Sequence, residues 1–281
     1  MCIIRFKDFF FRYKGNEEYA LNNINLEIKK NKFILLAGET GSGKTSLIRC
    51  MNGLIPQFYA GYYKGSVQVA EKDTSITPIA DLSTEVGIVF QNPENQLIAM
   101  NIEHEIAFGM ENLGIKEEII KEKLKSVMQL TEISEIADKA PFEISGGEQQ
   151  RVAIASILAL DPKIIVLDEP TANLDPLFAH KIITLLKKIQ RDKDLTIIIS
   201  EHRMDLVIPI VDEIILMKQG KIVAHNRKED IINSQEFENL AINKPLIYSI
   251  FNYLRKENLI HKDLPTSISE AVSLIKTNIY R

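Results

Sequence analysis

A glycine-rich segment at residues 38–45, GETGSGKT, holds the first residues whose types and spacing could do chemistry. It matches the phosphate-loop pattern G-x-x-x-x-G-K-[ST] at every fixed position. Such a loop needs glycines because backbone N–H groups must approach phosphate oxygens without an intervening Cβ. Lys44 is predicted to reach the β- and γ-phosphates, and the Thr45 hydroxyl to bind Mg²⁺. The residues predicted to surround these phosphates are Gly38, Glu39, Thr40, Gly41, Ser42, Gly43, Lys44, Thr45 and Ser46.

Two carboxylates, Asp168 and Glu169, follow the continuous apolar run at residues 164–167. This run predicts a buried strand, and open α/β sheets bind ligands at the carboxyl ends of their strands. Asp168 is predicted to hold Mg²⁺, directly or through water, and Glu169 to act as general base on the attacking water. Taken alone, the pair would indicate a core strand that meets a turn. The phosphate loop upstream favours the functional interpretation.

A third candidate is the signature segment, residues 145–148, which consists of Ser145, Gly146, Gly147 and Glu148. Small residues at the start of a helix predict an N-terminus that is left free to bind an anion. The alternative is a capped helix after a tight turn. Because the segment lies just before the acidic strand, we favour the anion site.

The elements that must position these residues alternate between strands and helices. Continuous apolar runs at residues 33–37, 164–167 and 196–200 predict strands buried on both faces, and residues 24–28 alternate as in a half-buried strand. An amphipathic helix is predicted from Phe178 to Ile189. This order predicts an α/β fold with a mainly parallel core sheet behind N-terminal antiparallel strands.

Two further regions are predicted to be helical. Residues 93–160 are rich in helical pattern and are interpreted as an inserted helical lobe. Beyond residue 225, helices are predicted near 245–258 and 267–278, the second with a capping box formed by Ser267 and Glu270. The predicted organisation is an ATPase domain at residues 1–225 and a C-terminal helical extension at 226–281.

The composition excludes some classes of partner. The formal net charge is −4, with 34 basic and 38 acidic residues, so sequence-independent binding of nucleic acid is not expected. No apolar stretch approaches the ~18 residues that span a bilayer. We therefore expect a soluble chain that a partner would hold at any membrane where it works.

In order along the chain, these motifs resemble those of the ATP-binding cassette (ABC) family, over about residues 2–223. The family's sequence of phosphate loop, Gln loop, signature, acidic strand, Asp loop and His loop is matched here by residues 38–45, Gln91, 145–148, Asp168 with Glu169, Asp175 and His202. The resemblance implies a P-loop NTPase fold and ATP with Mg²⁺ as ligands. It also implies a head-to-tail dimer in which one subunit's signature acts on its partner's ATP.

The resemblance assigns roles to the residues outside the phosphate loop. Gln91 would touch Mg²⁺ and report to the transport partner, His202 would contact the γ-phosphate, and both would join Glu169 as catalytic residues. Asp175 would cross the dimer interface. Tyr13 matches the aromatic residue that stacks on adenine, although a core position beside Phe9, Phe10 and Phe11 is a serious alternative.

This sequence departs from the family's pattern at two points. The signature usually reads Leu-Ser-Gly-Gly-Gln, whereas Ile144 and Glu148 stand at its ends here. A carboxylate at the helix start suits the helix dipole but would repel phosphate, which affects the detail of the last contact. Asn31 stands where a turn glycine is common, and asparagine is the next-best residue for a left-handed conformation.

A finer resemblance is to the ATPases of energy-coupling factor importers. It rests on the stretches FQNPENQ at 90–96, IEHEIAFGMENLG at 102–114 and FYAGYYKGSV at 58–67, and on the tail around residues 245–267. It implies a second ABC ATPase subunit, a membrane coupling protein and a substrate-binding membrane protein as partners. It further implies import of a vitamin or transition-metal ion, a position on the cytoplasmic face of the membrane, and a tail that helps to pair the ATPases, unless the tail is a plain solvated pair of helices.

Other classes share part of this pattern. An ordinary ABC importer subunit is the first alternative. A DNA-repair or chromosome-structure ATPase would carry a long coiled coil between phosphate loop and signature, and a translation-associated ATPase would carry tandem cassettes. Neither feature is present in these 281 residues. The motifs do not identify the transported substrate. They also do not show whether the chain forms a homodimer or a heterodimer.

Overall fold

The computed structural model describes residues 1–260 and 263–279, and the described chain contains two β-sheets. The strands are β1 (Cys2–Tyr13), β2 (Leu21–Lys29), β3 (Phe33–Gly38), β4 (Gly61–Val69), β5 (Lys72–Asp73), β6 (Val86–Val89), β7 (Ile164–Asp168), β8 (Thr196–Ser200), β9 (Glu213–Lys218) and β10 (Lys221–Arg227). The smaller sheet is antiparallel, with the order β2-β1-β4-β5. Alternate residues of β2 are buried, which confirms the half-buried strand predicted from its pattern.

The larger sheet has the order β10-β9-β3-β8-β7-β6. Strands β9, β3, β8, β7 and β6 are parallel, and β10 joins the edge as an antiparallel strand. All residues of β3, β7 and β8 are buried, as their apolar runs predict. The mainly parallel core sheet and the antiparallel N-terminal strands are therefore confirmed.

The core has two layers because successive side chains of a central strand point to opposite faces. Phe33 and Leu35 of β3 pack on the side of the helices, whereas Ile34 and Leu36 pack between the two sheets. The turn before β3 contains Asn31 at φ 59°, in the left-handed conformation expected of it.

The helices are α1 (Lys44–Met51), α2 (Leu54–Gln57), α3 (Ile79–Ser83), α4 (Ile102–Asn112), α5 (Glu117–Leu130), α6 (Gly146–Leu158), α7 (Pro176–Asp192), α8 (Met204–Val207), α9 (Lys228–Ile232), α10 (Gln235–Asn239), α11 (Leu246–Lys256) and α12 (Ile268–Ile279). Helices α4, α5 and α6 lie within the predicted helical lobe. They pack with Ile106, Leu124 and Ile154 in the same core as α7. Among residues 1–260 and 263–279, no helix has the length and apolar character needed to cross a bilayer.

The C-terminal region differs in two details from its sequence prediction. Helices α9 and α10 were not predicted, because five residues are too few to show a helical period. The capping box before α12 is also shifted. Glu270 N donates to Ser267 Oγ at 3.3 Å, but the Glu270 carboxylate accepts from the backbone N and hydroxyl of Thr266 rather than from Ser267.

Candidate nucleotide site

Four loops meet at one edge of the larger sheet. Strands β3, β8, β7 and β6 are consecutive neighbours, and the parallel strands end at the same edge. The phosphate loop follows β3, Gln91 follows β6, Asp168 ends β7, and His202 follows β8. Residues far apart in sequence are thereby brought together where sequence reasoning expected a ligand.

Contacts within this chain constrain the conformation of the phosphate loop. Gly43 has φ 102°, and a Cβ at this position would lie 2.6 Å from the carbonyl oxygen of Ala20. Lys44 is buried, and its Nζ donates to the carbonyl oxygens of Gly38 at 2.9 Å and Glu39 at 3.1 Å. Burial lowers the pKa of Lys44, and the charges of Glu169 and Asp168 oppose that shift.

Three oxygen-bearing side chains form a continuous chain beside the loop. Thr45 Oγ1 donates to Asp168 Oδ2 at 2.8 Å, and Ser200 Oγ donates to Asp168 Oδ1 at 2.6 Å. Hydroxyl and carboxylate oxygens are the ligands that Mg²⁺ prefers, and Mg²⁺ commonly takes one or two protein carboxylates plus substrate phosphates. Thr45 and Asp168 therefore fit a Mg²⁺ ion beside the phosphates. Ser200 orients the carboxylate, and sequence reasoning missed it.

The three predicted catalytic residues are directly connected. Glu169 Oε2 accepts from Gln91 Nε2 at 3.0 Å, and Glu169 Oε1 lies 3.0 Å from His202 Nε2. The Glu169 backbone has φ 51°, a left-handed conformation that costs a non-glycine residue of order 1–3 kcal/mol. The conformation is held because Glu169 N donates to both the carbonyl and the hydroxyl of Ser200, each at 3.0 Å. A strained, over-determined carboxylate is compatible with a general base, and that role stays a prediction.

A buried acid that sequence reasoning missed links the two loops beside this triad. Glu201 is 2 % exposed. Its Oε1 accepts from the backbone N of Thr171 at 3.0 Å and from the Thr171 hydroxyl, while its Oε2 accepts from the N–H groups of His202 and Arg203 at 2.8 and 3.1 Å. One carboxylate thus positions the backbone on both sides of the Glu169–His202 contact. The only signal in the sequence is that Glu201 precedes His202.

The signature segment forms a capped helix start, which corrects the prediction of a fully free N-terminus. Ser145 is the N-cap of α6, and its hydroxyl accepts from Glu148 N at 3.4 Å. The Glu148 carboxylate accepts from Ser145 N at 2.8 Å and from Ser145 Oγ at 2.7 Å. These bonds from Ser145 lower the pKa of Glu148. Glu148, which stands where the family usually has glutamine, therefore completes a capping box with Ser145.

The two signature glycines face different surroundings. A Cβ on Gly147 would lie 2.5 Å from Cδ1 of Phe178 in α7, so this glycine is needed for packing. The nearest atom to a Cβ on Gly146 would be a Leu174 methyl carbon at 3.9 Å, an ordinary contact distance. In the part of the chain that the structure describes, no hydrogen bond joins residues 145–148 to the phosphate loop. The structure does not bring these two predicted sites together within one subunit.

The remaining predicted site residues have well-defined local contacts. Asp175 is the N-cap of α7 and accepts from the N–H groups of Leu177 and Phe178 at 2.9 and 3.1 Å. Asp175 is exposed, so capping α7 does not prevent the predicted interface contact. Tyr13 is partly buried, and its hydroxyl lies 3.0 Å from Ser46 Oγ and accepts from Arg49 at 3.2 Å. Tyr13 therefore lies against the helix that follows the phosphate loop, and adenine stacking stays a prediction.

The segment after Gln91 is fixed by the side chains of Gln96 and Glu105. Gln96 accepts from Phe90 N at 3.2 Å and donates to the carbonyl of Ile88 at 3.1 Å. Glu105, 6 % exposed, accepts from the N–H groups of Ile98 and Ala99 at 2.8 and 2.7 Å. The backbone of this segment is thus held although it lies at the surface.

The fold and these contacts define a P-loop ATPase in which the predicted general base, the metal-ligand candidates and the phosphate loop share one sheet edge. Residues 21–172 match the family model described as ABC transporter. A protein of Pyrococcus horikoshii, named provisionally as an ABC transporter ATP-binding protein, is 38% identical over 277 residues, which are 98% of this chain and 97% of the relative. The chain belongs to the ABC transporter ATP-binding family and is an ATPase.

Some relatives are longer. A protein of Methanosarcina mazei with the same provisional name is 36% identical over 255 residues, which cover 90% of this chain but 43% of that relative. Among solved structures, cbiO1 from Clostridium perfringens, described as part of the ABC transporter complex cbiONQ, has a TM-score of 0.75 at 29% identity and covers 91% of this chain and 97% of cbiO1. The dimeric cassette MJ0796, in a post-hydrolysis state with ADP and phosphate, has a TM-score of 0.70 at 27% identity, with 80% and 99% covered.

Proposed function

We propose that this chain is the ATP-hydrolysing subunit of an energy-coupling factor importer and works on the cytoplasmic face of a cell membrane. Its partners would be a second ABC ATPase subunit, identical or related, a membrane coupling protein and a substrate-binding membrane protein. The substrate class would be a vitamin or a transition-metal ion. Support comes from the similarity to cbiO1 and from the local sequence of residues 90–96 and 102–114.

In this proposal, the residues at the sheet edge divide the work of hydrolysis. When bound by Thr45 and Asp168, Mg²⁺ would neutralise charge on the β- and γ-phosphates. Lys44 would contact the same phosphates. Glu169 would take a proton from the attacking water, and its two oxygens are already oriented by Gln91 and His202 at 3.0 Å each.

The second half of the site would come from another subunit. The signature segment has no hydrogen bond to its own phosphate loop among the described residues, and Gly146 is exposed at the start of α6. Its N-terminal N–H groups and helix dipole suit the γ-phosphate of a partner's ATP, and the Glu148 carboxylate at the same helix start opposes that attraction. Asp175, exposed beside it, would cross the same interface.

One observation carries the transport function. Ile98 and Met100 are 69% and 91% exposed on the segment that follows Gln91, whereas their neighbour Leu97 is 8% exposed and packs in the core. Exposed apolar side chains on a backbone that Glu105 holds in place suit a partner's helix, since apolar anchors supply most of the energy at such contacts. The segment begins beside Gln91, which contacts Glu169, so it is placed to transmit the state of the ATP site.

The test uses this difference in exposure. Ile98→Asp and Met100→Asp should leave ATPase activity and melting temperature unchanged but lower co-purification with membrane proteins and substrate uptake. Leu97→Asp is the structural control, because a charge in the core should lower melting temperature and ATPase activity together. Normal uptake by the Ile98→Asp, Met100→Asp double variant would contradict this docking surface.

A pull-down from detergent-solubilised membranes separates the proposal from its alternative, an ordinary ABC importer. Recovery of one small coupling protein with a separate substrate-binding membrane protein supports the energy-coupling factor type. Recovery of a conventional pair of transmembrane permease subunits instead would contradict that type and favour the ordinary importer. The wild-type chain and the double variant at Ile98 and Met100 should be compared side by side, so that proteins bound elsewhere are recognised.

A further inference from the structure

Tyr13, at the end of β1, is held by its hydroxyl as well as by its ring. The hydroxyl lies 3.0 Å from Ser46 Oγ and accepts a hydrogen bond from Arg49 at 3.2 Å. Both partners belong to α1, where residues three apart lie on the same face. The Tyr13 ring packs edge-to-face with Phe11 and Tyr59, with centroids 4.7 and 6.2 Å apart. Four neighbours therefore fix the position and the tilt of this ring.

The side chain of Arg49 is committed to two tyrosines rather than to an acid. Its guanidinium carbon lies 4.3 Å from the centroid of the Tyr59 ring, which is within the range of cation–π attraction. Among residues 1–260 and 263–279, Arg49 forms no ion pair, and its buried Nε has no hydrogen-bond partner. A guanidinium has five N–H donors, and here the bond to Tyr13 is the one that its side chain makes in the described chain. This arrangement suits a residue that orients another side chain.

Tyr13 also lines an open cleft of about 370 Å³ at the end of β1 and the start of β4. Lys14 and Asn16 line the same cleft, whereas Ser46 and Arg49 do not. In the part of the chain that the structure describes, no aromatic ring is stacked parallel on Tyr13. The volume lies within the range of about 300–1,000 Å³ that is usual for small-molecule sites. The ring is therefore held by contacts outside the cleft in which a flat base would meet it.

We propose that Arg49 is a positioning residue for ATP binding, which acts through the Tyr13 hydroxyl on the ring predicted to stack on adenine. Without the Arg49 donor, the hydroxyl keeps the Ser46 contact alone, and the tilt of the ring is less restricted. Stacking depends on the relative orientation of the two rings, so ATP affinity falls although Arg49 does not contact ATP. The inference shares the ATP site with the proposed function but not the membrane partners, so a failed transport assay would leave it standing.

The test compares ATP with ribose 5′-triphosphate, which has the same phosphates but no base, by titration calorimetry of the full chain with Mg²⁺. Arg49→Met should weaken ATP binding about twofold to tenfold, the effect of one hydrogen bond, and leave ribose 5′-triphosphate binding unchanged. Tyr13→Phe, which keeps the ring and removes the hydroxyl, should give the same pattern. Arg5→Met, which removes an exposed arginine of β1, is the matched control for the lost charge and should bind both ligands as the wild type does.

A double variant separates positioning from direct attraction of the phosphates. If Arg49 acts through the hydroxyl, Tyr13→Phe combined with Arg49→Met should bind ATP no more weakly than the weaker single variant. Additive losses, or weaker binding of ribose 5′-triphosphate by Arg49→Met, would show that the charge acts on the phosphates and would overturn the proposal. Unchanged ATP binding by Tyr13→Phe would overturn it even where Arg49→Met fails to fold. Unchanged ATP binding by Tyr13→Leu would refute the stacking prediction, and the proposal with it.

Discussion

Adjacent glycines of the signature segment should respond oppositely to the same added methyl group. In Gly147→Ala, the new Cβ would lie 2.5 Å from Cδ1 and 3.1 Å from Cγ and Cε1 of Phe178, so the ring must shift. Overpacking of this kind costs about 1–3 kcal/mol. In Gly146→Ala, the nearest atom is Leu174 Cδ2 at 3.9 Å, an ordinary contact. Both variants share the gain in helix propensity, so the difference in their unfolding free energies isolates the clash.

The assay is thermal and denaturant unfolding of both variants, followed by ATPase measurements at several protein concentrations. Gly147→Ala should be less stable than Gly146→Ala by about 1–3 kcal/mol. Gly146→Ala should be at least as stable as the wild type but should hydrolyse ATP poorly, because its methyl group faces the proposed partner nucleotide. Equal stability of the two variants would refute the packing argument. Full activity of Gly146→Ala would refute the head-to-tail arrangement at this residue.

Three substitutions test other parts of the site. Glu169→Gln should still bind ATP but hydrolyse it about 10²–10⁴-fold more slowly in a phosphate-release assay, and normal turnover would move the general base elsewhere. Lys44→Ala should lose most ATP binding in a nucleotide titration; unchanged affinity would contradict the phosphate-loop assignment. Glu148→Gln should lose about 0.3–1 kcal/mol of stability at neutral pH. Because the folded-state pKa of Glu148 is lowered, its carboxylate stabilises the fold above the unfolded pKa and loses this effect as pH falls through the folded one. The stability difference should therefore shrink on acidification, and a constant difference would refute the charge effect.

The features that could be predicted from the sequence are those encoded by residues that are close together in the chain. The phosphate loop, the buried strands and the acidic pair are encoded in runs of four to eight residues, roughly the length of one element. The structure therefore confirms β3, β7 and β8 almost to the residue. Asn31 was also predictable, because a single left-handed turn has a strong residue preference.

The features that were missed depend on contacts between distant residues. Glu201 meets Thr171 across 30 residues of sequence, and Gly147 meets Phe178 across a similar interval. The residues that flank Glu201 and Gly147 in the sequence give no indication of these contacts. For the same reason the sequence could not separate Leu97, which enters the core, from Met100, which is exposed. Such distinctions come from tertiary packing, which periodicity does not encode.

The loops around the site are joined to one another as well as to the sheet. Asn173 donates to Asn92 at 3.1 Å, which connects the loop after Glu169 to the loop after Gln91. Arg203 donates to the carbonyl of Leu174 at 2.8 Å, which connects the same loop to the segment after His202.

These bonds join the loops on three neighbouring strands, so a shift of Glu169 on hydrolysis would not remain local. Any movement of the Gln91 loop displaces the backbone that presents Ile98 and Met100, since Gln96 and Glu105 tie that backbone at both ends. In the proposed function, a chain of hydrogen bonds through these side chains would connect the γ-phosphate site to the membrane partner. Interrupting it at Asn173 should reduce coupling more than it reduces hydrolysis.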